Sequence, residues 1–247
     1  MLVCTPARND RIQIGFGMEF LPNGYTLSLC EGAFPLSTDS MCLAHFARLP
    51  KQARVLDLGS GCGTLGLLLC SRDGNCRVTG LEFDETAHRA ALENILRNAL
   101  ESRMESLCCD LRSVSERFSP GSFDVCISNP PYFTGGPASK AVPLARRDDF
   151  CSIGELMDSA AHALKFGGDF FLVHKPERLP ELIAAAAARK LEAKRLCLVR
   201  HRDGGPVALI LLAFRKGAKP GLIWEEIALR HADNTPTEEY KQIYHQE

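Results

Sequence analysis

Asn129-Pro130-Pro131-Tyr132 is the segment whose residue types and order ask most directly for a chemical use. It follows Phe123–Ser128, an apolar run of strand character. Two consecutive prolines remove two backbone donors and fix φ. A carbonyl is thereby held outward beside the Asn129 side-chain oxygen, and the two form a rigid pair of acceptors. Such a pair suits an –NH2 whose lone pair is conjugated into an aromatic ring or an amide. Accepting both hydrogens favours a tetrahedral nitrogen and frees the lone pair to attack an electrophilic carbon such as a sulfonium methyl. Tyr132 offers a flat face on which a planar substrate stacks, as an extruded base would. Positioning and electrostatics carry such chemistry, and no metal is required.

A second cluster lies upstream. Val55-Leu56-Asp57-Leu58 runs into Gly59-Ser60-Gly61-Cys62-Gly63-Thr64-Leu65-Gly66. Glycines let a backbone turn tightly and approach a ligand, and a following helix start offers free N–H groups. The run from Gly61 to Gly66 satisfies the dinucleotide pattern G-x-G-x-x-G. Asp57 argues otherwise, because a pyrophosphate disfavours a negative charge there and a sulfonium with an ammonium group welcomes one. Glu82 falls about 19 residues past Gly63, where a carboxylate can accept both hydroxyls of a ribose. Phe83 is placed to lie against an adenine ring. Asp110, after Cys108-Cys109, can cap a helix.

The stretch Val55–Gly63 resembles the first motif of S-adenosylmethionine-dependent methyltransferases. The resemblance implies S-adenosyl-L-methionine as cofactor and S-adenosyl-L-homocysteine as product. The cofactor-binding set is then Asp57, Gly59, Ser60, Gly61, Cys62, Gly63, Thr64, Leu65, Glu82, Phe83, Cys109, Asp110, Leu111 and Asn129, with Asp110 accepting from the adenine amino group. Asn129, Pro130, Pro131 and Tyr132 form the catalytic set. The tetrapeptide is similar to the motif of amino-group methyltransferases acting on adenine N6, guanine N2 or glutamine N5.

Elements that position these residues follow from periodicity. Strands are expected at Arg54–Leu58, Arg77–Glu82, Glu105–Asp110, Phe123–Ser128 and Phe170–His174. Helices are expected at Thr64–Ser71, Asp84–Leu100 and Leu179–Lys190, and at Ile153–Lys165 with a stop at Gly167-Gly168. Lys194–Arg200 and Val207–Arg215 flank the hairpin signal Asp203-Gly204-Gly205. Strands alternating with helices predict a parallel α/β sheet. The expectation is a Rossmann-like class I methyltransferase fold, a mostly parallel seven-stranded sheet with one antiparallel strand. Residues 1–50 read as an extension of the same globule. It has β-like runs Ile12–Gly17 and Tyr25–Leu29 around the turn Pro22-Asn23-Gly24, then a helix capped at Thr38-Asp39 and ended by Pro50. Residues 51–219 form the methyltransferase domain. Residues 220–247 form a tail packed on it, with a short helix at Glu238–Tyr244. For residues 1–36, a lid over the cofactor and a shaped RNA site both stay open.

The chain has 247 residues, 29 Lys+Arg against 30 Asp+Glu, and a net charge of −1. This neutral balance argues against a protein that coats nucleic acid through bulk charge. Eleven cysteines occur without a C-x-x-C pair, mostly in apolar stretches. They read as buried reduced thiols rather than a disulfide framework or a zinc site. No apolar run has the length of a membrane span and no secretory signal is evident, so a cytoplasmic protein is expected.

Thr38–Ala44, Asn129–Phe133, Leu144–Asp148 and Leu172–Leu179 are similar to the bacterial tRNA(Val) adenine-N6-methyltransferase family, which modifies the adenine beside the anticodon. Lys194-Arg195-Leu196 and Glu239-Tyr240 carry the likeness further. It implies a tRNA partner, and no obligate protein partner is inferred. The charge map points the same way. Residues 165–219 hold twelve Lys+Arg against five acids, whereas 73–124 hold six against ten and 220–247 hold two against six. Arg146, Arg147 and Lys175 are the expected RNA contacts, although Asp148-Asp149 can pair with the two arginines. A glutamine-N5 methyltransferase of a release factor, a ribosomal RNA guanine-N2 enzyme and a non-catalytic cofactor-binding RNA chaperone are the alternatives.

Overall fold

The computed structural model describes residues 18–21, 24–30, 36–131 and 151–245. The expected run Ile12–Gly17 lies outside them. In the N-terminal extension, β1 (Met18–Phe20) pairs antiparallel with β2 (Thr26–Ser28). Helix α1 (Thr38–Phe46) follows.

The rest alternates strand and helix: β3 (Arg54–Leu58), α2 (Thr64–Arg72), β4 (Arg77–Glu82), α3 (Glu85–Arg97), β5 (Met104–Cys108), α4 (Val114–Arg117) and β6 (Phe123–Ser128). Then come α5 (Ile153–Ala163), β7 (Leu164–His174), α6 (Leu179–Ala187), β8 (Leu191–Arg200), β9 (Val207–Lys216), β10 (Ile223–Ala228) and α7 (Glu238–Tyr244).

Strands β3 to β10 make one sheet in the order β10-β8-β9-β7-β6-β3-β4-β5. Only β9 runs antiparallel, against β7 and β8. The expected fold class therefore holds, with eight strands where seven were expected. The added strand comes from the tail: β10 pairs in parallel with β8, Ile223 beside Arg195 through Ala228 beside Arg200.

Strand side chains alternate between faces. Val55, Val125, Ile127, Phe171, Val173 and Leu211 point toward α1, α2 and α3. Leu56, Cys126, Phe170, Leu172 and Leu212 point toward α5 and α6. Burial on both faces explains why these strands read as continuous apolar runs. Helix α1 is buried nearly all round, with Met41, Cys42, Leu43, Ala44 and Phe46 in the core. It packs on α2, α7, β7 and β9, so it shows little amphipathicity.

Two local expectations need correction. Ser37, not Thr38-Asp39, caps α1: its hydroxyl accepts the Ser40 N–H at 3.2 Å. Helix α5 stops at Ala163, and Gly167-Gly168 lie inside β7 rather than ending a helix. Phe123 pairs with Leu164 and Val125 with Asp169, so residues 165–168 bulge outward. Gly167 takes φ +81°, and a Cβ on Gly168 would come within 2.8 Å of the Asp124 carbonyl. The glycines serve a bulge.

Ten cysteines lie among the described residues and all are free thiols, eight of them buried, with Cys108 exposed and Cys151 half-buried. Among the described residues no helix is long and apolar enough to cross a membrane.

Candidate active site

Parallel strands deliver their carboxyl ends to one edge of the sheet. Along that edge stand Lys175 after β7, Asn129 after β6, Asp57 and Gly59 at β3, Glu82 ending β4, and Cys109-Asp110 after β5. Chain order reverses between β3 and β6, and α/β sheets bind ligands at such a switch point. Tyr132, Arg146 and Arg147 lie outside the described residues.

The glycine loop turns at that point. Gly59 and Gly61 adopt φ +74° and +55°, and a Cβ on either would meet nothing within 4 Å. The backbone thus borders open space where a ligand can approach. Gly63 caps α2 without any side-chain hydrogen bond, and the N–H groups of the first turn, Thr64 and Leu65, take no side-chain cap among the described residues. The N–H groups of Gly59 and Ser60 are anchored to the Leu81 carbonyl at 3.0 and 2.9 Å.

Three side-chain oxygens at the loop are buried and find no hydrogen-bond partner among the described residues: both of Asp57 and the hydroxyl of Ser60. Asp57 is fully buried. Burial, and then the Glu82 charge, push its carboxyl up to about 8. An orphaned buried carboxyl is costly unless a partner arrives. A cationic donor of hydrogen bonds is such a partner, so these residues fit the ammonium and sulfonium of S-adenosylmethionine.

Glu82 spends both oxygens on backbone: it accepts the Gly61 N–H at 2.7 Å and the Asp84 N–H at 2.8 Å. It therefore builds the loop, while each oxygen keeps a further lone pair for a ribose hydroxyl. Burial raises its pKa above the usual carboxylate range. Phe83 beside it is 58% exposed. The Cys109 N–H donates to the Glu82 carbonyl at 2.9 Å, which ties the β5 end to the β4 end.

Asp110 adopts the capping role. It accepts the Arg112 N–H at 2.8 Å at the head of the 3-10 turn Leu111–Ser113, and it pairs with the Arg112 guanidinium. The arginine and this hydrogen bond hold its carboxyl below the usual range. Such a carboxylate stays ionised and can still accept from an adenine amino group.

Asn129 is half-buried and follows Ser128, whose hydroxyl donates to the Leu58 carbonyl at 2.7 Å and locks β6 against β3. The Asn129 amide nitrogen donates to the Ser40 hydroxyl at 3.0 Å. No described residue donates to its Oδ1. Pro130 is buried behind it. Lys175 begins the 3-10 turn Pro176–Arg178, and its N–H donates to Nδ1 of buried His174 at 2.8 Å.

Residue types alone did not single out Ser40, Asn94 or Asn98. Buried Asn94 donates to the Cys62 carbonyl at 2.9 Å and thereby bolts α3 to the glycine loop. An asparagine on the buried face of α3 was the available signal. The thiols of Cys30 and Cys62 lie 3.5 Å apart beside it.

The basic block 165–219 does not form an unpaired basic face. Six of its twelve cations pair with carboxylates: Lys165 with Asp124, Arg178 with Glu181, Arg189 with Asp158, Arg195 with Glu225, Arg200 with Glu226 and Arg215 with Asp169. Two of those acids belong to the tail. Among the described residues, no three His, Cys, Asp or Glu side chains are grouped to hold a metal ion.

Comparison with known proteins gives the family and the fold. The family model described as Methyltransferase small domain matches residues 37–192. The tRNA1(Val) (adenine(37)-N6)-methyltransferase of Bacteroides fragilis is 33% identical over 185 residues, which cover 74% of this chain and 77% of that protein. Among solved structures, the predicted O-methyltransferase of Agrobacterium tumefaciens aligns with a TM-score of 0.71 at 21% identity, over 85% of this chain and 96% of that one. The T. thermophilus 16S rRNA N2 methyltransferase, solved with AdoMet and guanosine, aligns with a TM-score of 0.58 at 23% identity, over 81% of this chain and 50% of that one. The two structures share the fold. The matches of family model and relative establish that the chain belongs to the methyltransferase small domain family and, within it, to the tRNA1(Val) (adenine(37)-N6)-methyltransferases.

Proposed function

We propose that this protein transfers the methyl group of S-adenosylmethionine to the exocyclic N6 amine of an adenine beside the anticodon of a tRNA. The observation that carries the reading is Asn129 at the carboxyl end of β6, with its nitrogen engaged by Ser40, no described donor on Oδ1, and two prolines behind it. The cofactor supplies an electrophilic methyl on a sulfonium. The chain's residues do the rest. Asp57 and the N–H groups of the α2 start hold the amino-acid end, Glu82 holds the ribose, and Phe83 and Asp110 take the adenine. Asn129 Oδ1 and a proline carbonyl accept the two amine hydrogens and direct the nitrogen lone pair at the methyl. Tyr132 stacks on the flipped base. The methylated nitrogen then releases one proton, and S-adenosylhomocysteine is the product. Arg146, Arg147 and Lys175 hold substrate phosphates. A tRNA substrate places the enzyme in the cytoplasm.

The test is incubation with labelled S-adenosylmethionine and total tRNA from a strain lacking the protein, followed by digestion to nucleosides. Label in N6-methyladenosine is expected. Label in N2-methylguanosine, or in release-factor protein alone, would replace the adenine acceptor with the corresponding alternative. Asn129→Ala should abolish transfer with cofactor affinity unchanged within about threefold, because Asn129 acts mainly on the target amine. Replacing Arg146 and Arg147 should weaken tRNA binding and flatten its salt dependence.

A further inference from the structure

We propose that Ser40 is a positioning residue for methyl transfer: its hydroxyl fixes which end of the Asn129 carboxamide faces the acceptor amine. The inference rests on Asn129 being the amine acceptor. A carboxamide has two nearly isosteric ends, and its terminal torsion is broad and roughly two-fold. Only one orientation works. With Oδ1 toward the substrate, the amine finds an acceptor. With Nδ2 toward it, two –NH2 groups confront each other and the lone pair is not released.

The structure provides a partner that holds the productive orientation. Ser40 sits in the first turn of α1 and is 7% exposed. Its Oγ takes the Asn129 Nδ2 hydrogen at 3.0 Å. Ser40 is itself held from behind. The Ser37 hydroxyl accepts the Ser40 N–H at 3.2 Å and turns its own hydrogen to Ser40 Oγ at 3.3 Å. Ser40 Oγ thus receives donors from two sides. Helix α1 is fixed in turn by α7, where the Tyr244 hydroxyl donates to Thr38 Oγ1 at 3.0 Å and the Tyr244 ring stacks on Tyr240 with centroids 4.4 Å apart. The N-terminal extension and the C-terminal helix therefore both reach the reacting amine through one serine. Their contribution is orientation rather than binding.

The test separates the turnover rate from affinity. Ser40→Ala keeps a good helix former at a buried position and removes one oxygen. At saturating tRNA and cofactor its rate should fall about tenfold, the equivalent of about 1.4 kcal/mol. KM for tRNA and the dissociation constant for S-adenosylmethionine should stay within about twofold, and the thermal midpoint should hold. An unchanged rate would overturn the proposal. So would a rate loss matched by equal losses in cofactor affinity and stability, which marks a merely structural serine. Should the alanine variant fold poorly, Ser40→Cys gives the same reading, because sulfur is a weak acceptor in nearly the same space. A failure of the underlying reading is distinct: it would appear as wild-type enzyme that labels no adenine, or as full activity in Asn129→Ala.

Discussion

Asn94 and Ser28 exchange two hydrogen bonds as if they were paired residues of adjacent strands. Asn94 Oδ1 accepts the Ser28 N–H at 2.7 Å, and Asn94 Nδ2 donates to the Ser28 carbonyl at 2.9 Å. One turn later, Asn98 repeats the exchange with Thr26, at 2.8 Å in both directions. Four residues of helix rise about 6 Å and two residues of strand about 6.7 Å, so the two carboxamides meet every second residue of β2. Helix α3 thereby acts as a strand partner for the N-terminal hairpin, and the Asn94 bond to the Cys62 carbonyl extends the hold to the glycine loop.

Asn94→Ala should therefore cost roughly 2–4 kcal/mol by urea unfolding, because it strands the Ser28 amide and two carbonyls. Cofactor affinity should fall several-fold as the Cys62 carbonyl loses its donor. Half-buried Asn98 should matter less. Equal losses for the two alanine variants would show that the hairpin, and not the loop, is what Asn94 secures.

Cofactor binding should release a proton through Asp57. Its carboxyl holds a proton up to about pH 8 in the free protein, and a bound cation lowers that value. Affinity should therefore rise with pH below about 8 and level off above it. Free-protein stability should move the opposite way. The unfolded chain loses this proton near the ordinary carboxylate value, so stability falls as pH rises through that window. Titration calorimetry at pH 6.5 in two buffers of different ionisation enthalpy reads the proton directly. Asp57→Asn should bind more weakly and release none, and a wild-type heat independent of buffer would sink the assignment.

Gly61 and Gly66 should fail in different ways. Gly61→Ala meets only left-handed backbone strain of about 1–2 kcal/mol, while its methyl enters the open space beside Glu82. Cofactor affinity should drop by at least about tenfold, with a melting point only a few degrees lower. A Cβ on Gly66 instead collides with the Met104 thioether end, so Gly66→Ala should lose stability first. Parallel melting and binding curves discriminate the two.

Acid should weaken the fold through His174. Its imidazole is 1% exposed, and burial, then the Arg178 charge, hold it down to about 4. The unfolded chain takes up that proton near pH 6.5, so the stability it represents is complete above 6.5 and is lost as pH falls toward 4. Asp57 acts in the opposite sense over the same range and is common to both proteins, so between pH 7 and 5 the wild type should lose about 2 kcal/mol relative to His174→Asn, read from their urea midpoints. Parallel pH profiles for the two proteins would assign the acid sensitivity elsewhere.

Much of the molecule is legible in local chemistry. Arg77–Glu82, Phe123–Ser128 and Glu238–Tyr244 carry their own periodicity and bounds, and all three form as expected. Asp57, the three glycines, Glu82 and Asn129 lie at strand ends because each follows an apolar run, and a parallel sheet gathers such ends on one edge. Gly167-Gly168 misled, since a glycine pair marks a helix end and a strand bulge equally well until the partner strand is known.

What the residues decided alone was the class of chemistry: a buried acid before a glycine loop, a second acid one strand on, and an acceptor fixed by two prolines. The tertiary structure decided the rest, for reasons that act at long range. Charge segregation along the chain looked like a basic face beside an acidic tail. Folding instead lays β10 against β8, so Glu225 and Glu226 neutralise Arg195 and Arg200. Ser40 and Asn129 are 89 positions apart, and no local pattern pairs them. Their contact exists because α1 packs over the sheet edge where β6 ends, and only that packing turns a helix serine into a neighbour of the acceptor site.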